Sequence, residues 1–281
     1  MRISNNRHHK INNKEDDKLW RGVFYDTSFI LLSLLTIANG LTSSLVAWFN
    51  DFSQFPVSPI LIFTVFTIVF LHLTDISTKK SLILPCLVLV FFLMIPSSLA
   101  SWVGLLIAAI LYRLQVGRFE GKVVLLTMLA LSFIWKNCLF KISSGFILHA
   151  ETWFIGQLLS PFFSDLYIHK NHLLLSEDHN ISIGIGCSVF FNVSFVILGW
   201  VSMFYLLGYT NINTKWFLNI FLFLLLTNVI RIGLMSIDYQ VYIWMHDGVG
   251  ANIYNIILVI ISISPIFLSL RSQGDKRCRI E

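Results

Sequence analysis

The stretch WFLNIFLFLLLTNVIRIGLM, residues 216–235, runs for twenty residues and contains a single charged side chain, Arg231. An α-helix of this length rises about 30 Å, at about 1.5 Å per residue, which matches the hydrocarbon thickness of a bilayer. The stretch therefore predicts a transmembrane helix. Arg231 is the residue within it that most needs an explanation, because a charged side chain is rare inside a membrane.

Other apolar runs of similar length along the chain predict a bundle of about eight transmembrane helices. The predicted spans are 28–49, 57–74, 79–95, 98–116, 121–140, 187–208, 216–235 and 251–270. Pro96 and the two serines after it interrupt one apolar stretch, and they predict a tight hairpin between the third and fourth spans. The segment 145–160 carries His149 and Glu151, so we expect an interfacial or re-entrant helix there. The two polar residues could be auxiliary polar groups, but we favour an interfacial rim.

The composition excludes a soluble globular domain. Hydrophobic residues fill 56% of the 281 positions and charged residues only 12%, whereas soluble domains carry about 25% charged residues. We therefore expect an all-α polytopic membrane protein. Its predicted parts are a polar tail over 1–27, a helical bundle over 28–270 and a basic tail over 271–281.

The distribution of positive charge predicts the orientation of the chain. The net charge is +5, and the lysines and arginines lie mainly in the tails and in alternate short connections, which is a topology pattern rather than a nucleic-acid-binding patch. With the N-terminal tail inside, inner segments hold sixteen of the twenty Lys and Arg residues and outer connections hold three. Both termini are therefore predicted to be cytoplasmic in a multi-pass protein of the cell membrane. We expect the first span to remain as an anchor, because no small-residue cleavage site follows it.

The predicted outer face has one long connection, 141–186, and a shorter one, 236–250. Apolar residues alternate around a polar centre in the long connection, which predicts a small extracytoplasmic β-hairpin before the sixth span. His169, His172 and His179 lie in this loop, but their spacing fits no zinc motif, so we expect a solvated polar loop. With neither a Gly-rich phosphate loop nor a His-Glu-x-x-His motif in the sequence, we expect no metal and no cofactor.

Three reactive side chains are predicted to share the outer face, namely Cys187, Arg231 and His246. A cysteine nucleophile attacks as its thiolate, so it needs a neighbouring base or cation. His246 could act as the base and later as the general acid, while Arg231 could pair with the thiolate or stabilise an oxyanion. Asn228 lies three residues before Arg231 on the same helical face and could hold the guanidinium by a hydrogen bond.

Each of these residues also has a simpler interpretation. Arg231 could snorkel to the outer interface, although snorkelling arginines favour the cytoplasmic side. Cys187 could be a small buried apolar residue, or it could form a disulfide with Cys138. His246 could be an ordinary residue of a hydrated turn.

Three short motifs lie at the outer ends of the late spans. They are Gly-Cys-Ser at 186–188, Asn-Val-Ile-Arg at 228–231 and His-Asp-Gly-Val-Gly at 246–250. In order, spacing and predicted membrane side, this set resembles the exosortases and archaeosortases, and the resemblance covers about residues 120–270. Gly186 stands where that family usually has Ala, and Val189 stands where it usually has Gly, which indicates a divergent branch.

The resemblance implies a membrane-embedded cysteine peptidase or transpeptidase that sorts proteins. Its partners would be membrane lipids and secreted proteins that end in a short motif, a transmembrane helix and a basic cytoplasmic tail. Cys187 would cleave such a substrate near the outer surface through a thioester, with Arg231 and His246 as catalytic partners and Asn228 in support. Water or an acceptor amine would resolve the thioester.

Other functions remain open from the sequence. The chain could be a transporter or channel, although it shows no relay of charged residues at mid-membrane and no inverted repeat. It could be a membrane transferase that acts on lipid or glycan with His246 as base, or a non-enzymatic assembly scaffold. Replacement of Cys187 separates these functions, because only the peptidase requires its thiol.

Overall fold

The structure is a computed structural model that describes most of the chain and divides it into two units. The described residues are 8–50, 58–74, 81–118, 120–164, 166–175, 179–209, 215–246, 248–250, 253–254, 256 and 260. The first unit comprises Met1–Ile134 with Tyr205–Thr210, and the second comprises Trp135–Phe204 with Asn211–Glu281.

Helices make up the described part of the first unit. They are α1 (His8–Gly40), α2 (Thr42–Asn50), α3 (Pro59–Thr74), α4 (Ile83–Leu93), α5 (Ser98–Val116) and α6 (Gly121–Ile134). The hairpin between α4 and α5 lies at Pro96, in the position that the sequence predicts. Ser97 starts α5 because its hydroxyl accepts a hydrogen bond from the backbone N–H of Ala100, one of the donors that a helix N-terminus leaves unpaired.

A buried network of charged and polar side chains joins α1, α3, α5 and α6 in the first unit. Lys122 forms ion pairs with Asp26 and Glu120, and the Tyr112 hydroxyl lies 2.9 Å from an Asp26 oxygen and 2.7 Å from a Glu120 oxygen. His72 Nδ1 lies 3.3 Å from Asp26 Oδ2. The sequence did not predict this network, because Asp26 and His72 are tens of residues away from Tyr112, Glu120 and Lys122.

The second unit combines helices with a small sheet. In chain order its elements are a π-helical turn (Trp135–Leu139), α7 (Phe140–Leu159), β1 (Tyr167–His169), β2 (His172–Leu174), β3 (Asn180–Ser182), a 3-10 turn (Ile185–Cys187), α8 (Val189–Leu206), α9 (Lys215–Met235) and α10 (Tyr239–His246). The segment 145–160, expected to be an interfacial or re-entrant helix, is for most of its length part of the regular helix α7.

The predicted β-hairpin is present as part of a three-stranded antiparallel sheet in the order β1-β2-β3. The β1–β2 turn contains Lys170 at φ 54°, and the buried pair Leu173 and Ile181 faces across β2 and β3. Gly156 lets the sheet approach α7, because an added Cβ there would lie 2.5 Å from Ile168 Cδ1 of β1. The third strand was not predicted, because a strand of three residues is too short for a clear alternating pattern.

A hydrophobic cluster joins α7, the sheet, α9 and α10 in the second unit. Its buried members are Phe140, Leu148, Ile155, Leu159, Leu173, Ile181, Ile183, Val229, Ile232, Met235 and Met245. Cys187 packs against this cluster. The cluster therefore connects the turn that carries Cys187 with the helix that carries Arg231.

Among the described residues, five helices are long and apolar enough to cross a membrane. They are Gly22–Gly40, Ser98–Val116, Gly121–Leu159, Val189–Leu206 and Lys215–Met235. Two shorter apolar helices, Pro59–Thr74 and Ile83–Leu93, coincide with the predicted second and third spans. The first candidate ends at Gly40, before the predicted end at 49, because α1 ends there and a separate helix, α2, follows it. The predicted eighth span, 251–270, lies mostly outside the described residues, so the structure supports a polytopic helical protein without fixing eight spans.

Candidate active site

Cys187 lies at the end of the 3-10 turn that connects β3 to α8. Its backbone N–H donates to the Gly184 carbonyl at 3.0 Å, and its side chain is half-buried. Upstream, the Ile183 N–H donates to the Asn171 carbonyl at 2.8 Å, and the Asn171 side-chain amide donates to the Ile183 carbonyl at 3.3 Å. The sheet therefore anchors the segment that leads into Cys187.

Asn228 and Arg231 lie one turn apart on α9 and approach the Cys187 segment. The Asn228 amide donates to the Cys187 carbonyl at 2.8 Å, a contact between residues 41 positions apart in the chain. The Arg231 guanidinium lies 4.7 Å from the centre of the Tyr254 ring, which is a cation–π contact. Arg231 Nε is buried and has no hydrogen-bond partner among the described residues.

A cavity of about 210 Å³ brings these side chains together. Its lining residues are Gly186, Cys187, Ser188, Val189, Asn192, Leu224, Asn228, Arg231 and Tyr254. A thiol, a guanidinium and two side-chain amides thus surround one small space. This set of groups is suited to nucleophilic attack on a carbonyl and to stabilisation of the resulting oxyanion.

Glu151 of α7 is a buried acidic residue beside this cavity, only 2% exposed. Its carboxylate accepts hydrogen bonds from the Ser188 hydroxyl at 2.6 Å, from the Val189 backbone N–H at 2.8 Å and from the Asn228 amide at 3.4 Å. The expectation of an interfacial rim for Glu151 is therefore wrong. The alternative of an auxiliary polar group agrees with this burial, and its signal in the sequence is an acidic residue within an apolar helix.

Tyr254 lines the cavity, although the sequence analysis did not single it out. It falls inside the predicted eighth span, where a tyrosine usually suggests an interfacial anchor. In the structure its side chain is buried under the Arg231 guanidinium. The aromatic face partly offsets the cost of taking a cation out of water.

His246 ends α10 and is exposed, and its ring stacks on Tyr242 at 5.2 Å between centroids. It is not among the described residues that line the cavity. Tyr242, like Cys187, packs against the hydrophobic cluster of the second unit. The structure thus brings Cys187, Asn228 and Arg231 together, while the participation of His246 stays a prediction.

The remaining candidates have structural contacts of their own. Cys138 and Cys187 are both free thiols, so the alternative of a disulfide between them is not formed. His149 Nδ1 donates to the Lys170 carbonyl at 3.0 Å, and His179 Nε2 donates to the Met235 carbonyl at 2.9 Å. In the part of the chain that the structure describes, no group of three His, Cys, Asp or Glu residues is arranged to bind a metal.

Comparisons of the chain with known protein families, with curated proteins and with solved structures found no match. The function proposed below therefore depends on the residues themselves, on their geometry and on the sequence motifs that they form.

Proposed function

We propose that this protein is a membrane-embedded cysteine peptidase or transpeptidase of the exosortase/archaeosortase kind. One observation carries the proposal. Cys187 lines the same cavity as Asn228 and Arg231, although these residues come from segments about forty positions apart. Cys187 also packs against the hydrophobic cluster of the second unit, as a cysteine with no reactive role usually does. Such a cysteine would, however, need neither a guanidinium nor an amide beside it.

The proposed reaction proceeds through a thioester. The Cys187 thiolate attacks the carbonyl carbon of the scissile peptide bond, and Arg231 stabilises the negative charge that develops on the carbonyl oxygen. The carbon–nitrogen bond then breaks, and His246 gives the departing amine the proton that it took from the thiol. Water or an acceptor amine attacks the thioester and restores the free thiol.

The proposed substrates are secreted proteins that end in a short motif, an apolar helix and a basic tail. The apolar helix would dock among the late spans, and the motif would reach the depth of Cys187 on the extracytoplasmic face. In this proposal the protein lies in the cell membrane and both of its termini are in the cytoplasm, as the distribution of lysine and arginine predicts.

The experiment follows the cleavage of a secreted reporter that ends in such a motif, helix and basic tail, taken from a gene next to that of this protein. The reporter is produced in the same membranes as the full chain, and its length is measured on a gel. We expect the unmodified chain to shorten the reporter, and Cys187→Ala to abolish the cleavage because no nucleophile remains.

Cys138→Ala is the matched control, because Cys138 is also a half-buried free thiol of the second unit. This variant should cleave the reporter at the rate of the unmodified chain. If Cys187→Ala cleaves as fast as the control, a cysteine peptidase is excluded. A transporter or a transferase that needs no thiol then becomes the better interpretation.

A further inference from the structure

The carboxylate of Glu151 is buried in the second unit with three hydrogen-bond donors and no cation in contact among the described residues. Burial of a carboxylate costs several kcal/mol unless its lone pairs are satisfied. A purely apolar side chain at this position of α7 would avoid that cost. The carboxylate must therefore contribute something that an apolar side chain could not, namely an acceptor for these three donors.

Two of the three donors belong to the residues that directly follow the cysteine. Cys187 closes the 3-10 turn, Ser188 is extended at φ −78° and ψ 130°, and α8 begins at Val189. The Val189 N–H is one of the first donors of α8, which have no partner within their own helix. Glu151 supplies that partner from another helix.

The third donor connects Glu151 to the peptide group of Cys187 itself. The Asn228 amide donates to the Cys187 carbonyl at 2.8 Å and lies 3.4 Å from Glu151 Oε1. The carbonyl of Cys187 and the two residues after it are therefore all held by one connected set of hydrogen bonds. With the backbone fixed on both sides, the thiol is presented to the cavity that contains Arg231.

We infer that Glu151 is the positioning residue of the Cys187 site, acting through Ser188, Val189 and Asn228 and not through contact with substrate. The inference deepens the proposed function and depends on it for its catalytic meaning. The conformation of the Cys187 turn, however, can be measured without any substrate.

The experiment measures the rate at which iodoacetamide alkylates each cysteine of the full chain in detergent micelles, resolved by mass spectrometry. Glu151→Ala leaves the Ser188 hydroxyl and the Val189 N–H without their acceptor, so the turn opens toward water. We expect Cys187 to be alkylated about tenfold faster, while the rate at Cys138 stays unchanged. In the reporter assay the same variant should lose cleavage, because the exposed thiol is no longer held beside Arg231.

Glu151→Gln is the conservative variant. Its carbonyl can accept from the Val189 N–H, and its amide can donate to the Ser188 hydroxyl, so the turn keeps its hydrogen bonds. We expect alkylation and cleavage within about threefold of the unmodified chain. If Glu151→Gln changes Cys187 alkylation and reporter cleavage as much as Glu151→Ala does, the effect comes from the charge of Glu151 and not from its hydrogen bonds. The inference of a positioning residue is then wrong.

The Ser188→Ala variant and the comparison of Cys138 with Cys187 complete the test of Glu151. Ser188→Ala removes one donor and should accelerate Cys187 alkylation in the same direction but less than Glu151→Ala; an unchanged rate would overturn the inference. Equal acceleration at Cys138 and Cys187 in Glu151→Ala would mean general loosening, and it would overturn the inference too. Because alkylation requires no substrate, failure of the peptidase proposal in the Cys187→Ala assay remains distinguishable from failure here.

Discussion

Arg231 is a cation in the last turns of the apolar helix α9, and its described contact is with an aromatic face instead of a carboxylate. The guanidinium lies 4.7 Å from the Tyr254 ring centre, and its Nε has no hydrogen-bond partner among the described residues. A desolvated cation–π contact is worth about 2 kcal/mol. A ring face contacts the plane of the guanidinium and does not use its N–H groups, which the proposed mechanism assigns to an oxyanion.

Replacement of Tyr254 tests this arrangement. We expect Tyr254→Leu to reduce cleavage of the reporter by about tenfold, because loss of roughly 1.4 kcal/mol of cation–π stabilisation lets the guanidinium turn away. Tyr254→Phe is the matched control, and it should stay within about threefold of the unmodified chain, since the ring face remains. Equal loss in the two variants would instead assign the effect to the hydroxyl group.

Helix α7 is the element that supports both the sheet and the candidate site. Glu151, Ile155 and Gly156 lie on its buried face, with Glu151 toward the Cys187 turn and Gly156 beneath Ile168 of β1. The spacing of four residues between the first two places them on one side of the helix. A change in the distance between α7 and the sheet should therefore disturb the segment that leads into Cys187.

Two glycines of α7 give a matched test of that contact. Gly156→Ala places a methyl group 2.5 Å from Ile168 Cδ1, so we expect a loss of about 1–3 kcal/mol from overpacking. Gly145→Ala makes the same chemical change on the same helix, where nothing lies within 4 Å of the added Cβ. We expect this control to gain about 0.5–1 kcal/mol, because alanine favours a helix. Thermal unfolding in micelles measures both, and similar midpoints would contradict a tight contact between sheet and helix.

At the scale of the whole molecule, the first unit carries its own buried charges. Lys122 is 2% exposed and pairs with Asp26 and Glu120, whereas the side chain of Arg118, which also pairs with Glu120, is 51% exposed. Removal of one partner from a buried pair leaves an uncompensated charge, while an exposed pair contributes little.

Replacement of these two cations should lower the stability of the protein by different amounts. We expect Lys122→Met to lower the free energy of unfolding by about 3–5 kcal/mol. Arg118→Met should lower it by no more than about 1 kcal/mol, because water already screens that charge. Unfolding in micelles by a denaturant series measures both variants. A small loss for Lys122→Met would show that the two carboxylates are neutral or reached by water.

The predicted orientation of the chain can be tested with two exposed lysines. In a chain whose native cysteines are replaced, Lys170→Cys should react with a membrane-impermeant maleimide added outside intact cells, and Lys215→Cys should not. After lysis both should react, which shows that each thiol is accessible. Labelling of Lys215→Cys in intact cells would contradict the predicted cytoplasmic location of the termini. Cys187 would then be assigned to the cytoplasmic face of the membrane.

The helices of the bundle could be predicted from the sequence because each one depends on a local property. A run such as 98–116 is apolar over the length of a span, and the structure gives the helix Ser98–Val116. Boundaries were less accurate where a polar residue or a glycine interrupts the run, as at Gly40. Cys187, Asn228 and Arg231 could be chosen because reactive or charged side chains are conspicuous among apolar neighbours.

By itself the sequence determined that this chain is an apolar helical protein and which unusual side chains it carries. Only the tertiary structure decided that Glu151 holds the residues after Cys187, that Tyr254 faces Arg231, and that Asp26 pairs with Lys122. The physical reason is that hydrophobic length and periodicity act within one segment. A hydrogen bond or an ion pair between residues tens of positions apart exists only after the segments have packed.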